Sequence, residues 1–279
     1  MKESYAEIQA IMCFSGHDPS GGAGIQADIE TINQLGGHCT PIITALTAQD
    51  SHNVKRFVCV DPHFMIEQAQ TVLADFNIRA FKIGMLGSIA IIEALQPLLR
   101  QYPHIPVVFD PVLKAGGGLD LIENNAVIEA MRQLIMPHTT VITPNTYELN
   151  TLANKGNHST AVCVQQLIDH GCAYVFATGT HDLSTEHVIN RLWSPDTDQP
   201  IEFSWPRLPH HYHGSGCTLA SAIATYLGHG DTPQQAIQKA QFFTWHALNQ
   251  SKQKDSGQHL PHRNLLSIPN SANSSHTNG

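Results

Sequence analysis

Short apolar runs alternate with segments in which apolar residues return every three or four positions, and this rhythm runs through most of the chain. Residues 8–15 read as a buried strand. After a loop over 16–22, Ile25, Ile29, Ile32 and Leu35 fall on one helical face, and Gly36-Gly37 ends the helix. Residues 39–48 predict a second strand and 64–76 a helix. Further strands are expected over 80–83, 106–110, 140–142 and 173–178, with helices over 89–100, 124–134 and 161–170 between them. Strands that alternate with helices build βαβ units, hence an α/β fold with a central, mostly parallel sheet and helices on both faces. Residues 187–193 and 200–205 predict a late antiparallel hairpin, and 217–227 and 232–250 two closing helices. No repeat or interdomain linker interrupts the pattern, so residues 1–266 are expected to form a single domain. The polar stretch 267–279 has too few large side chains to pack and is expected to be disordered.

Charge narrows the partners. Of 279 residues 14% are charged, low against an average of about 25%. Fifteen basic residues against 23 acidic ones leave a net charge of −8, which argues against a nucleic-acid or anionic-membrane surface. An anionic ligand must therefore be held locally, by backbone amides, a metal, or a few placed cations. The six cysteines show no metal-ligand spacing, and Cys13, Cys39 and Cys59 lie in apolar runs, as expected of a reduced, cytoplasmic chain. Residues 1–9 lack the basic start and long apolar run of a signal peptide, and no apolar run is long enough to span a membrane.

Three segments carry candidate chemistry. In Gly214-Ser215-Gly216-Cys217-Thr218 two glycines free the backbone to turn just before a small-residue helix. Amides at such a helix start form an anion hole, and Cys217 falls in the first turn, where a thiolate is stabilised. The same residues also read as a glycine cap before a helix with a structural cysteine. The second segment runs from Ser15 to Gly24 and is glycine-rich, with Asp28 one turn into the following helix. It has no lysine, so it is not a P-loop. Gly22-Ala23-Gly24-Ile25-Gln26-Ala27 does fit the dinucleotide pattern G-x-G-x-x-A, with Asp50 after the next strand. That pattern, however, places its first glycine in a tight turn directly on the strand end. Here residues including Pro19 intervene. The third segment is a pair of acids past strand ends, Asp110 and Glu148, which could organise magnesium; singly they read as a turn and a helix first-turn charge. His210, His211 and His213 lack a regular spacing and are read as loop.

Six stretches, taken in order, resemble the hydroxymethylpyrimidine/phosphomethylpyrimidine kinases of thiamin biosynthesis, a ribokinase-like family. They are Asp18-Pro-Ser-Gly-Gly-Ala-Gly-Ile-Gln-Ala-Asp28, Ile43-Thr-Ala-Leu-Thr-Ala-Gln49, Lys82-Ile-Gly-Met-Leu86, Asp110-Pro-Val112, Thr143-Pro-Asn145 with Glu148, and His213-Gly-Ser-Gly-Cys-Thr218. The resemblance implies a three-layer sandwich, a homodimer, and transfer of the ATP γ-phosphoryl to a hydroxymethyl oxygen with Mg2+. Asp28 and Gln49 would hydrogen-bond the aminopyrimidine, with Gly24, Met85 and Val112 lining its pocket. Asp110 and Glu148 would organise the metal through water. Asn145, Thr178, Asp110 and Thr218 would face the nucleotide, and Gly214, Ser215, Gly216 and Cys217 would form the anion hole. The family pattern has lysines where this chain carries Thr178 and Gln241, and the stretch after Val112 differs. A cysteine-type pyridoxal kinase and a non-catalytic pyrimidine binder are the competing readings.

Overall fold

A computed structural model of the chain describes residues 8–115, 118–153, 159–180, 186–197, 199–252 and 256–264. Nine strands form one sheet in the order β3-β2-β1-β4-β5-β6-β7-β8-β9. They are β1 (Ala10–His17), β2 (His38–Gln49), β3 (Val54–Cys59), β4 (Ile78–Ile83), β5 (Val107–Phe109), β6 (Val141–Ile142), β7 (Tyr174–Ala177), β8 (His187–Trp193) and β9 (Ile201–Pro206). The central six, β2, β1, β4, β5, β6 and β7, pair in parallel; β3, β8 and β9 run antiparallel to their neighbours.

Because side chains alternate across a strand, β1 feeds two cores. Ala10, Met12 and Phe14 pack on the face covered by α2 (Pro62–Asp75), α3 (Ile89–Gln101), α4 (Ala126–Ala130), α5 (Thr146–Leu152) and α6 (Thr160–Asp169), as Met65, Ile91, Val127, Leu149 and Val164 in that cluster show. Ile11 and Cys13 pack on the other face, under α1 (Gly24–Gln34), α7 (Ser215–Gly228) and α8 (Pro233–Asn249). Local signals set the helix starts. Asp61 accepts from the amide of Phe64 at 2.8 Å ahead of Pro62, and Thr232 with Gln235 closes a capping box ahead of Pro233.

The expected α/β sheet, its late hairpin and most of its helices are present. Three elements differ from the sequence pattern. β3 was not anticipated: it is an edge strand with Lys55, Arg56 and Val58 exposed, so its polar and apolar residues do not alternate cleanly. α5 is short, seven residues or about two turns, and was not anticipated as a separate helix. The expected helix over 124–134 is α-helical only to Ala130 and continues as a π turn over Met131–Ile135. There the Arg132 guanidinium reaches the carbonyls of Leu152 and Thr151, and Pro137 follows. The polar stretch 267–279 and the domain limit at 266 lie outside the described residues.

Candidate active site

The strand order reverses at β1: α1 leads from β1 to β2 across one face, while α3 leads from β4 to β5 across the other, and ligands of open α/β sheets bind past the carboxyl ends at such a point. The chain sets there the loop 18–23 after β1, Met85 after β4, Asp110 after β5, Asn145 after β6 and Thr178 after β7.

Asp18 organises the first loop. Its carboxylate accepts from the amides of Ser20 (2.8 Å), Gly22 (3.1 Å) and Ala23 (2.8 Å) and meets His213 Nε2 at 2.8 Å. Burial alone would raise its pKa, but His213 and Ser20 pull it down to about 2. The loop departs from β1 and α1 begins only at Gly24, so the tight dinucleotide turn is not built. Gly24 takes φ +57°, and a Cβ there would stand 2.2 Å from the Gly16 carbonyl oxygen.

The second loop starts α7. Gly214, at φ +76°, caps the helix with no side-chain cap, and a Cβ on it would lie 2.1 Å from the Gly22 carbonyl oxygen. The first amides, those of Ser215, Gly216 and Cys217, thus begin the helix free of a capping side chain and carry the positive end of its dipole. A Cβ on Gly216 would stand 3.7 Å from Asp110 Oδ1, so this turn and Asp110 share one crevice. Cys217 hydrogen-bonds the Asp110 carboxyl and receives the Gly24 amide. Burial, and then the charges of Asp110 and Asp28, push its thiol up to about 12 against the opposing pull of Lys82. Burial, more than either carboxylate, opposes the pull that a helix start exerts toward a thiolate.

Asp110 and Glu148 face each other electrostatically. Burial raises Asp110 to about 6, with Lys82, Cys217 and Thr143 opposing. Burial and then the Asp110 charge raise Glu148 to about 8. Glu148 is first a capping residue: its Oε2 accepts from the amide of Asn145 at 2.9 Å, and Asn145 Oδ1 accepts from the amide of Glu148 at 3.0 Å. Asp110 Oδ2 is buried with no hydrogen-bond partner. An orphaned oxygen beside a second acid fits a hydrated divalent cation. Their raised pKa values carry a cost. The fold holds protons that the unfolded chain releases near pH 4, so stability should fall as pH rises from about 4 to 8. Asp110→Asn should therefore raise the melting temperature at pH 8 by a few degrees and leave it nearly unchanged at pH 4. Added magnesium should stabilise the parent far more than the variant. Calorimetric scans at the two pH values check both statements.

Asp28 is packed against Lys82, one turn into α1. It is 0% exposed, and both oxygens are taken. Oδ1 accepts from Ser221 Oγ (2.6 Å) and Lys82 Nζ (2.9 Å); Oδ2 accepts from Ser15 Oγ (2.6 Å) and Lys82 Nζ (3.1 Å). The carboxylate neutralises the Lys82 ammonium, which is itself 0% exposed. Burial would lower the Lys82 pKa, but the Asp28 charge overrides it and holds the ammonium charged. The amide and hydroxyl of Thr218 both donate to the Gly214 carbonyl, and the hydroxyl also accepts from Arg263 at 2.8 Å. Met85 gathers with Ala45, Val54 and Leu121 in a small apolar cluster, against which Val112 packs. Gln49 lines a small adjoining cavity with Val54, Ala115 and His213.

Asn145 and Thr178 come together through a parallel bridge between β6 and β7, with the Thr178 amide donating to the Pro144 carbonyl. Gln241 accepts from Asn190 Nδ2 (2.9 Å) and Trp205 Nε1 (3.1 Å), and Asn190 Oδ1 accepts from the Gly179 amide. A neutral amide chain thus fixes the strand end beside Thr178. His210 stacks on His259, and no group of three metal-ligating side chains occurs among the described residues. Sequence reading missed Lys82 as an electrostatic partner, the Asp18–His213 contact and Arg263. A lysine inside the apolar strand Ala80-Phe81-Lys82-Ile83 was a signal, since buried lysines are paired; Arg263 carried none.

A central, mostly parallel sheet with helices on both faces defines a ribokinase-like α/β fold. The sequence profile of the phosphomethylpyrimidine kinase family matches residues 18–262. The hydroxymethylpyrimidine/phosphomethylpyrimidine kinase of Escherichia coli is 34% identical over 245 residues, 86% of this chain and 91% of that protein. The enzyme of that name from Bacillus subtilis is 31% identical over 272 residues, 96% and 99% of the two chains. This chain also matches longer proteins and spans about half of them: it covers 52% of the thiamine biosynthesis bifunctional protein of Geobacter sulfurreducens, at 34% identity over 92% of its own length. Among solved structures, a Bacillus subtilis pyridoxal kinase in an ADP complex superposes with TM-score 0.81 at 25% identity, covering 92% of this chain and 98% of that one. A phosphomethylpyrimidine kinase from Clostridium difficile gives 0.72 at 29%, covering 86% and 99%. The chain belongs to the phosphomethylpyrimidine kinase family.

Proposed function

We propose that this protein uses ATP to phosphorylate 4-amino-5-hydroxymethyl-2-methylpyrimidine, and then its monophosphate, giving the diphosphate for thiamin synthesis. The observation that carries this reading is the uncapped first turn of α7, with Cys217 against Asp110, opening beside the apolar cluster around Met85. The ring would lie on Met85 and Val112 with Gln49 on its polar edge. The amides of Ser215, Gly216 and Cys217 would receive the equatorial oxygens of the migrating phosphoryl group. As the hydroxymethyl oxygen bonds to phosphorus and the bond to ADP breaks, its proton would pass to the Cys217 sulfur while the thiol proton moves to Asp110. Asp110 and Glu148 would hold Mg2+ through water, and that ion would supply charge neutralisation at the phosphates. Asn145 and Thr178 would border the nucleotide.

Leu46, Val58 and Phe64 stand exposed around the β2–β3 edge, which supports a homodimer built there. Free, mostly buried cysteines suit a reducing, cytoplasmic setting. The pyridoxal kinase likeness gives a specific second reading, with pyridoxal as the acceptor on the same site. An ATP-consumption assay should show turnover with the hydroxymethylpyrimidine and its monophosphate well above that with pyridoxal. Turnover with pyridoxal alone would select the second reading, and pyrimidine binding without ATP consumption would make the protein a binder.

A further inference from the structure

One buried cation lies outside every element assigned so far. Arg263 is 3% exposed and sits one residue past the stretch matched by the family profile. Its guanidinium spends all three nitrogens on three elements. Nε donates to Thr218 Oγ1 at 2.8 Å, on the first turn of α7. Nη1 donates to Glu30 Oε2 at 3.0 Å, on α1. Nη2 donates to the carbonyl oxygen of Gly22, in the loop held by Asp18. The contact to Thr218 continues, since that hydroxyl donates to the Gly214 carbonyl at 2.8 Å. Gly214 itself is wedged in place, because a Cβ on it would meet the Gly22 oxygen and stand 2.8 Å from Arg263 Nη2.

The segment bearing Arg263 is a strap across the same loops. The amide of Gln258 donates to the Ser51 carbonyl in the β2–β3 turn at 3.2 Å. The amide of His213 donates to the His259 carbonyl at 2.9 Å, and the amide of His259 to the His211 carbonyl at 2.8 Å. His213 then closes on Asp18. Both loops that border the anion hole are therefore tied twice, once to each other through His213 and Asp18 and once to the strap through Arg263.

We propose that Arg263 is a positioning residue for phosphoryl transfer: it fixes the distance between the Gly22 loop and the first turn of α7, so that the amides of Ser215 to Cys217 meet the migrating phosphoryl group in register. A planar guanidinium can do this where a lysine cannot, because its rigid fork addresses three acceptors at fixed angles. Glu30 neutralises its charge, so the role is geometric. The inference rests on the proposed kinase reading. Small misplacements of reacting groups cost on the order of 10²-fold in rate.

The test is Arg263→Ala and Arg263→Lys, measured for kcat, for KM of the hydroxymethylpyrimidine, and for calorimetric binding of inorganic phosphate. Arg263→Ala should lose on the order of 10²-fold in kcat with the pyrimidine KM nearly unchanged, and should weaken phosphate binding. Arg263→Lys should recover only a small part of either. Unchanged kcat in Arg263→Ala would overturn the proposal, and so would parallel losses in kcat, KM and melting temperature. If Arg263→Ala does not fold, Thr218→Val removes one arm of the clamp and should show the same split between kcat and KM. A parent that binds phosphate but turns over no acceptor would sink the kinase reading alone, and phosphate binding in the variants would still decide the role of Arg263.

Discussion

Cys217→Ala should lower kcat for the pyrimidine by about 10²- to 10⁴-fold, the range of positioned proton transfer, and leave the pyrimidine KM nearly intact. The size follows from where the sulfur stands. It lies against the Asp110 carboxyl on one side and meets the Gly24 amide on another, at the start of the helix whose amides we propose as the anion hole. Burial pushes its thiol up to about 12, so the sulfur holds its proton more tightly than a free cysteine does. It can still pass protons, because the neighbour that would take its own proton is Asp110, whose affinity for a proton burial has raised. Alanine keeps the backbone amide and so keeps that part of the anion hole, while the proton path is cut. Cys217→Ser keeps a donor to Asp110 and should fall between parent and alanine. Steady-state kinetics decide the matter. A variant with unchanged kcat would make the anion hole purely a backbone device.

Much of the fold was legible because periodicity is a local property. β1 is a continuous apolar run, α1 repeats isoleucine at helical spacing, and each feeds one core without help from distant residues. β3 was not legible, since an edge strand needs no buried face and its pairing with β2 is a tertiary fact. The break of the 124–134 helix into a π turn depends on carbonyls of α5 that Arg132 reaches across the chain.

Within the site, backbone features were readable and side-chain partnerships were not. Gly214 and Gly24 announce a tight approach by being glycine, and the structure uses both with positive φ. The acids announce only charge. Asp110 and Glu148 stand where strand ends would put them, but Asp28 cannot be told apart from them by sequence. What separates them is Lys82, 54 positions away, together with Ser15 and Ser221. A helix residue one turn past a glycine loop can point into the crevice or under it, and only the packed partners decide which.

That partnership sets the second large effect. Asp28→Ala should destabilise the fold by about 3–5 kcal/mol, because it leaves the Lys82 ammonium buried without its counter-charge. For a chain of this size the melting temperature should drop on the order of 10 °C. The loss is electrostatic more than steric, so it should be repairable. The double variant Asp28→Leu with Lys82→Met removes both charges together and should regain most of the stability of the parent, as apolar replacements of buried pairs do. Asp28→Asn separates this account from the ligand contact that the sequence suggested. An amide keeps hydrogen bonds to Ser15 and Ser221 but not the charge, so it too should lower the melting temperature. The pyrimidine KM of its folded fraction should stay close to that of the parent. A variant that melts like the parent and shows a greatly raised pyrimidine KM would return Asp28 to the ligand. Denaturation curves and KM values on the same three preparations distinguish the outcomes, because the partners of the Asp28 carboxylate, Lys82, Ser15 and Ser221, make a loss of fold and a loss of ligand contact separately visible.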